Sequence, residues 1–311
     1  MWLAYASLAA VCFGLRGILY QWTSRRPIER NLMLLGVYLS GAVVAAAAAV
    51  ALGQSWSPAV WTGLVMGFFS FVSNASMYRG FAVGKASLVA VFTALTPIVV
   101  VAVSYVRWGE KLNGWQALSF AVIVAGIVLI RYSNELSWRG LRGVEWALLA
   151  MVTFGITDLA SKQAMLWNAD KWPTLFVMYA TGAVLFCVLW FIGRARERAA
   201  GERSAAKLEA AVSAVRSKPA RAEPPPRPPV WPVAKTLAWG AVVGISNISG
   251  MMFILPAFQL GVTGLVSAVV ATNVLLVLLY ARFALKERWT LKEMAGMACA
   301  LAGVFGLRLL G

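Results

Sequence analysis

Two windows of this chain, Asn31 to Tyr78 and Thr236 to Ala281, contain no Asp, Glu, Lys or Arg. Each is about twice the ~20 residues that a helix needs to cross a ~30 Å hydrocarbon layer. Each is also interrupted near its middle, by GQSWSP from Gly53 to Pro58 in one and by Pro256 to Gly264 in the other. Such a window reads as a hairpin of two spans, because in lipid a helix is the form in which a lone segment satisfies its own backbone. Ala86 to Val106 and Leu112 to Ile130 are further charge-free windows of single-span length. With only 13% charged residues, the chain falls well below the soluble norm of about one quarter. The expectation is an all-α polytopic membrane protein with ten transmembrane helices, near 1–22, 31–52, 58–80, 85–107, 112–131, 143–166, 172–193, 235–257, 262–284 and 290–310. The first segment lacks a basic n-region and an Ala-x-Ala exit, so it is expected to be a retained span.

Several chemistries lose their support at the same stage. The chain has no histidine, which removes the usual metal ligand and the usual general base near neutral pH. Cys12, Cys187 and Cys299 lie far apart inside spans, so neither a disulfide nor a metal site is expected. No Gly-x-x-x-x-Gly-Lys-Ser/Thr loop is present, so the chain does not energise itself with nucleotide. No cofactor and no catalytic residue are expected. An intramembrane enzyme would have to draw its acid and base from Asp158, Glu145 and Glu110.

The chain repeats itself. Sliding the fourth and fifth spans onto the last two places Gly84 on Gly261, Glu110 on Glu287, Gly126 on Gly303 and Arg131 on Arg308 without a gap. Upstream, VSNAS at Val72 to Ser76 recurs as ISNIS at Ile245 to Ser249, and Phe13-Gly14 recurs as Phe154-Gly155. These last matches fall at smaller shifts. The difference places an insertion at 194–232, a basic Ala/Glu-rich stretch followed by a proline-rich one. The first part suits a surface helix and the second an extended polyproline segment. The expected organisation is one five-helix repeat at 1–142, a second at 143–193 and 233–311, and a linker at 194–232 grafted into the second. Five is odd, so the second copy enters the membrane from the opposite side. That yields inverted repeats, with a binding site near the midplane between them.

Three stretches carry a family likeness: GKASLVAVFTALTP from Gly84 to Pro97, GEKLNGWQ from Gly109 to Gln116, and AGIVLI from Ala125 to Ile130. The chain resembles the EamA-type branch of the drug/metabolite transporter superfamily. The resemblance implies a ten-helix, two-repeat carrier of small metabolites, and it leaves amino-acid exporters, drug exporters, and nucleotide-sugar or lipid-linked sugar carriers open. Where the first repeat has Thr96-Pro97, the second has Asn273-Val274, so the ninth helix lacks the proline that would kink it.

Charges inside spans narrow the search. A charged side chain at the bilayer centre costs at least ~2.5–3.5 kcal/mol on insertion scales and normally faces the bundle interior. Arg16 in the first helix and Asp158 in the sixth are such residues, and the repeat places Asp158 on Gly17, beside Arg16. Lys162 lies one turn beyond Asp158 on the same face. Two readings stand side by side: Arg16, Asp158 and Lys162 line a cavity for a charged or zwitterionic cargo, or an Arg16–Asp158 or Asp158–Lys162 pair locks two helices. Ser73-Asn74 and Ser246-Asn247, matched across the repeat, are expected to line the same cavity, with Asn273. Thr96 and Pro97 are expected to form a gate or hinge, since proline frees a backbone carbonyl. Glu110 and Glu287 are expected as interfacial anchors beside Lys111 and Arg288.

Most of the 28 basic residues fall on the odd-numbered loops. The positive-inside rule then places those loops in the cytoplasm and both termini outside. The expectation is a multi-pass protein of a bacterial inner membrane whose partners are the lipid bilayer and a small-molecule substrate moved outward by alternating access. A coupling ion is left open, no nucleic acid is expected, and a monomer or homodimer suffices.

Overall fold

The computed structural model describes residues 1–24, 26–83, 86–131, 143–214, 231–286 and 290–310. Glu287 and residues 215–230 of the expected linker lie outside the described residues. The helices are α1 (Trp2–Ser24), α2 (Arg30–Ala51), α3 (Thr62–Val83), α4 (Ala86–Ala94), α5 (Thr96–Trp108), α6 (Gly114–Arg131), α7 (Val144–Leu166), α8 (Lys171–Ala214), α9 (Val233–Leu260), α10 (Thr263–Ala271), α11 (Val274–Leu285) and α12 (Leu291–Leu310). Among the described residues, eight segments are long and apolar enough to cross a membrane, and Gly114–Ile130 is a shorter apolar helix. The chain is an all-helical, multi-pass integral membrane protein.

The helix extents differ from the sequence-based ones in two instructive places. The seventh span does not stop near residue 193, because α8 continues unbroken to Ala214. Ala, Glu, Lys and Arg are strong helix formers, and no proline follows Pro173 until Pro219. The first part of the inserted stretch is therefore helix continuous with a span.

The second difference is at the ninth span. The fourth span is broken at Leu95, between α4 and α5, with Pro97 in the first turn of α5. Pro97 has no N–H to give to the carbonyl of Thr93, and the Thr96 hydroxyl donates to that carbonyl instead, at 2.8 Å. The ninth span, expected to run through, is broken at the matching place between α10 and α11 without a proline. There the N–H groups of Thr272 and Asn273 bond back only three residues, to Val269 and Val270, and the Thr272 hydroxyl donates to Val269 O at 2.6 Å. Thr and Asn compete with the helical ladder through their own side chains, so a Thr-Asn pair in an apolar span marks this break as Thr-Pro marks the other. Each broken span then ends on a left-handed residue, Gly109 (φ 67°) and Lys286 (φ 56°), which fall on each other when the halves are aligned.

Packing follows the same correspondence. α6 lies along α12 and α2 along α8; α3 lies along α7 as α1 lies along α9, and α2 along α9 as α3 along α8. Between spans in lipid there is little hydrophobic drive, so close backbone approach at small residues does much of the work. A Cβ on Gly126 of α6 would sit 2.6 Å from both Ala300 N and Gly296 O of α12. Away from the small-residue seams the interior is filled by aromatics: the buried Tyr38 ring packs 5.7 Å from Tyr179 and 5.2 Å from Phe186. Gly126→Leu should therefore force α6 and α12 apart, at a cost of about 1–3 kcal/mol or more. Thermal unfolding in detergent should show a lower Tm for Gly126→Leu and no change for Gly114→Ala, whose added methyl meets open space.

Candidate functional site

A cavity of about 1000 Å³ lies among α1, α2, α3, the broken α4/α5, α6, α7, α8, α9 and the broken α10/α11. Its wall includes Arg16, Asn74, Thr96, Pro97, Asp158, Asn247 and Asn273 from the residues singled out in the sequence. Ser73, Lys162 and Ser246 were expected there and do not line it. The Ser73 hydroxyl donates to Phe69 O and Ser70 O, and that of Ser246 to Val243 O. Both satisfy themselves on their own helix, as serines in spans can. The matched asparagines take the facing positions one residue on.

The wall carries two opposite charges that do not meet. Arg16 donates through Nη1 to the Asn247 side-chain oxygen at 2.6 Å and lies over the Phe13 ring, 4.6 Å from its centroid. Its Nε has no hydrogen-bond partner. Asp158 accepts from the Ser267 hydroxyl at 2.6 Å. Among the described residues neither charge has an ion-pair partner, so the Arg16–Asp158 lock is not formed. On the other wall the Tyr38 hydroxyl and Ser70 Oγ bond at 2.5 Å, and the Asn74 amide donates to Ser70 O at 2.7 Å and to the Tyr38 oxygen at 3.3 Å.

Lys162 goes elsewhere, which also rules out the Asp158–Lys162 lock. Its ammonium donates to the carbonyls of Phe258 (2.7 Å) and Gly261 (3.0 Å) at the end of α9, and lies 3.3 Å from Glu110 Oε1. Glu110 in turn accepts from Thr263 N at 2.7 Å and from Thr263 Oγ1 at 2.9 Å, at the start of α10. Glu110 is thus no interfacial anchor. The two side chains are only 15% and 8% exposed, Glu110 and Lys162 respectively. A helix C-terminus leaves unpaired carbonyls that attract a cation, and an N-terminus leaves unpaired N–H groups that attract an anion. One ion pair serves both ends of the turn between α9 and α10 and ties them to α5 and α7.

The cavity is asymmetric along the helix direction. At one end its wall runs out to the exposed Arg26, Arg30 and Arg194. At the other, none of its lining residues belongs to the loops at 52–57, 109–113, 167–170 or 261–262, where the Glu110–Lys162 cluster lies. Tyr38, Ser70, Ser267 and Thr263 were not singled out in the sequence, since isolated hydroxyls in apolar helices look alike until their partners are known. Glu110 was visible as a charge repeated at Glu287, but its partner was not.

Among curated proteins none matches the sequence significantly. Among solved structures, one crystal structure superposes with a TM-score of 0.73 at 16% identity, covering 99% of this chain and 96% of its own. That likeness speaks to the fold alone. The model of the EamA-like transporter family matches residues 1–132 and again 141–309. With nearly the whole length matched in two successive copies, this chain belongs to the EamA-like transporter family.

Proposed function

We propose that this chain is a secondary carrier of ten membrane spans that exports a small polar or amphipathic metabolite by alternating access. Its halves are two five-helix repeats of opposite orientation, 1–142 and 143–193 with 233–311, with 194–232 inserted in the second. Support comes from the matching breaks of the fourth and ninth spans, the matching left-handed residues that end them, and packing pairs that exchange when the halves are exchanged. The observation that carries the reading is a large cavity between the halves that reaches exposed residues at one face and includes none of the loop residues at the other, where a buried ion pair lies. Carriers built from inverted repeats keep their site at that position and expose it to one side at a time.

In this reading Arg16, Asn74, Asp158, Asn247 and Asn273 contact the cargo, and the breaks at Thr96-Pro97 and Thr272-Asn273 are the hinges. The open face carries the basic loops, so the positive-inside rule makes it cytoplasmic, with both termini outside. The membrane is a bacterial inner membrane, the partners are cargo and lipid, and each monomer holds a whole cavity. The Glu110–Lys162 cluster closes the outer face. To load from outside or release there, Glu110 must leave the α10 N-terminus or Lys162 the α9 C-terminus.

Two measurements test this. Removing one partner of the cluster strands a buried charge, at about 3–5 kcal/mol. Glu110→Gln and Lys162→Met should each lower the Tm in detergent, and the double variant should regain only the part of the loss due to a lone charge, because the α9 carbonyls still lack their donor. For the state itself, a Cys at Thr157, in a chain cleared of Cys12, Cys187 and Cys299, should react with an impermeant maleimide in inverted vesicles and resist it in intact cells. The Glu110→Gln, Lys162→Met background should raise labelling from outside. Equal labelling from both sides in the unaltered cluster would sink the one-sided reading, and the lack of counterflow of any solute from a metabolite panel in liposomes would sink the carrier.

A further inference from the structure

The two unpaired charges of the cavity stand at different depths, and their separation constrains the cargo. α1 packs against α11 so that a Cβ on Gly14 would meet Leu276 and one on Gly17 would meet Val277. Arg16, between them, therefore lies level with the first turn of α11. Asp158 is bonded to Ser267 in the first half of α10. From Ser267 to Leu276 along this broken span is two and a half turns, roughly 13 Å at the helical rise. Within that distance the guanidinium is held at Asn247 and the Phe13 ring and the carboxylate at Ser267. On α9 and α10 the cavity wall over this interval is Met251, Ile254, Val270 and Ala271, all apolar, and on the broken span between Ser267 and Leu276 the one polar lining residue is Asn273.

Among the described residues neither charge is balanced by a counter-charge. A guanidinium or carboxylate inside a span ordinarily finds a counter-charge in the protein. Here Arg16 has an amide oxygen and a ring face, with Nε left over, and Asp158 has one hydroxyl. An α-amino acid carries its carboxylate and ammonium on one carbon. Seated on Arg16, it would hold its ammonium beside a guanidinium and leave Asp158 alone; seated on Asp158, it would do the reverse.

Resting on the carrier reading, we infer that the cavity selects an extended zwitterion, with an anionic group for Arg16 and an ammonium for Asp158 at opposite ends of an apolar spacer. The class comprises ω-amino acids and short peptides that keep both termini free. The cargo's anion sits on the side nearer the basic mouth and its ammonium nearer the closed face. Met251 and Ile254 take the spacer, and a side chain as adaptable as methionine admits spacers of different shape. Both buried charges gain a partner only when the spacer is long enough, so length is the selected property.

The experiment uses isomers. Purified full-length protein in detergent is titrated by thermal shift with ε-aminocaproate, its isomer norleucine, caproate and hexylamine. The expected result is an apparent affinity for ε-aminocaproate about tenfold above each of the others, the worth of one charge-assisted hydrogen bond. Arg16→Gln and Asp158→Asn should each erase that advantage, while Arg16→Lys, which retains the cation, should keep most of it and guards against a variant that simply fails to fold. Norleucine binding as well as ε-aminocaproate, either single-charge probe matching it, or no shift with any of the four would overturn the inference. Counterflow in liposomes separates this failure from that of the carrier: transport of another solute with no preference between the isomers leaves the carrier standing. Tight binding of ε-aminocaproate with no counterflow of any solute leaves the site standing and removes the carrier.

Discussion

The turn between α9 and α10 places four unlike demands within one small volume. The last carbonyls of α9 and the first N–H groups of α10 have no helical partners, and side chains buried against them take the place of water. Lys162 reaches the first and Glu110 the second, and the two then lie 3.3 Å apart. Each charge is stabilised by a helix end and by the other. A buried ion pair is weak evidence of stability when set against apolar replacements, yet here it also satisfies backbone groups that no apolar side chain could. Because its members come from the loop after α5, from α7 and from the facing ends of α9 and α10, the cluster fixes how those elements meet on one face of the bundle.

With that face closed, the centre can be left open. The cavity exists because the fourth and ninth spans break beside it at corresponding positions, and the breaks are tolerable because Thr96 and Thr272 donate to carbonyls within the broken turn. A break of this kind bends readily while leaving little of the backbone unsatisfied. It is also where the wall turns polar, with Thr96 and Asn273 lining the space. The same residues therefore sit at the breaks and line the cavity.

Arg16 and Asp158 illustrate how the rest of the bundle makes the site possible. Each is an expense that the cavity alone does not offset, so the surrounding packing must hold without them. It does so at glycines such as Gly126 against Ala300 and Gly296, where backbones touch, and in the aromatic group around Tyr38. Stability comes from the seams and the filled core, and the cavity is free to keep unpaired charges.

The membrane-spanning helices and the likeness of the two halves could be read from the chain itself, because both depend on local composition: charge-free windows of span length, and glycines and glutamates that recur at a constant shift. Arg16, Asp158, Asn74 and Asn247 could be chosen for a similar reason, since a polar group is costly anywhere along an apolar span and each stands out against its own helix. What the chain alone did not disclose is partnership. Lys162 follows Asp158 by one turn, and proximity on one helix suggested that they pair, but the free carbonyls at the end of α9, with Glu110 beside them, hold the ammonium instead. Ser73 and Asn74 are adjacent in sequence, yet a rotation of about 100° per residue puts one on its own backbone and the other on the cavity. The ninth span breaks without proline because Thr272 and Asn273 compete for the ladder at a depth where the bundle leaves room to bend. Local composition decides which segments enter the membrane; which polar groups meet inside it depends on helix rotation and register, and those are set only when all the spans pack together.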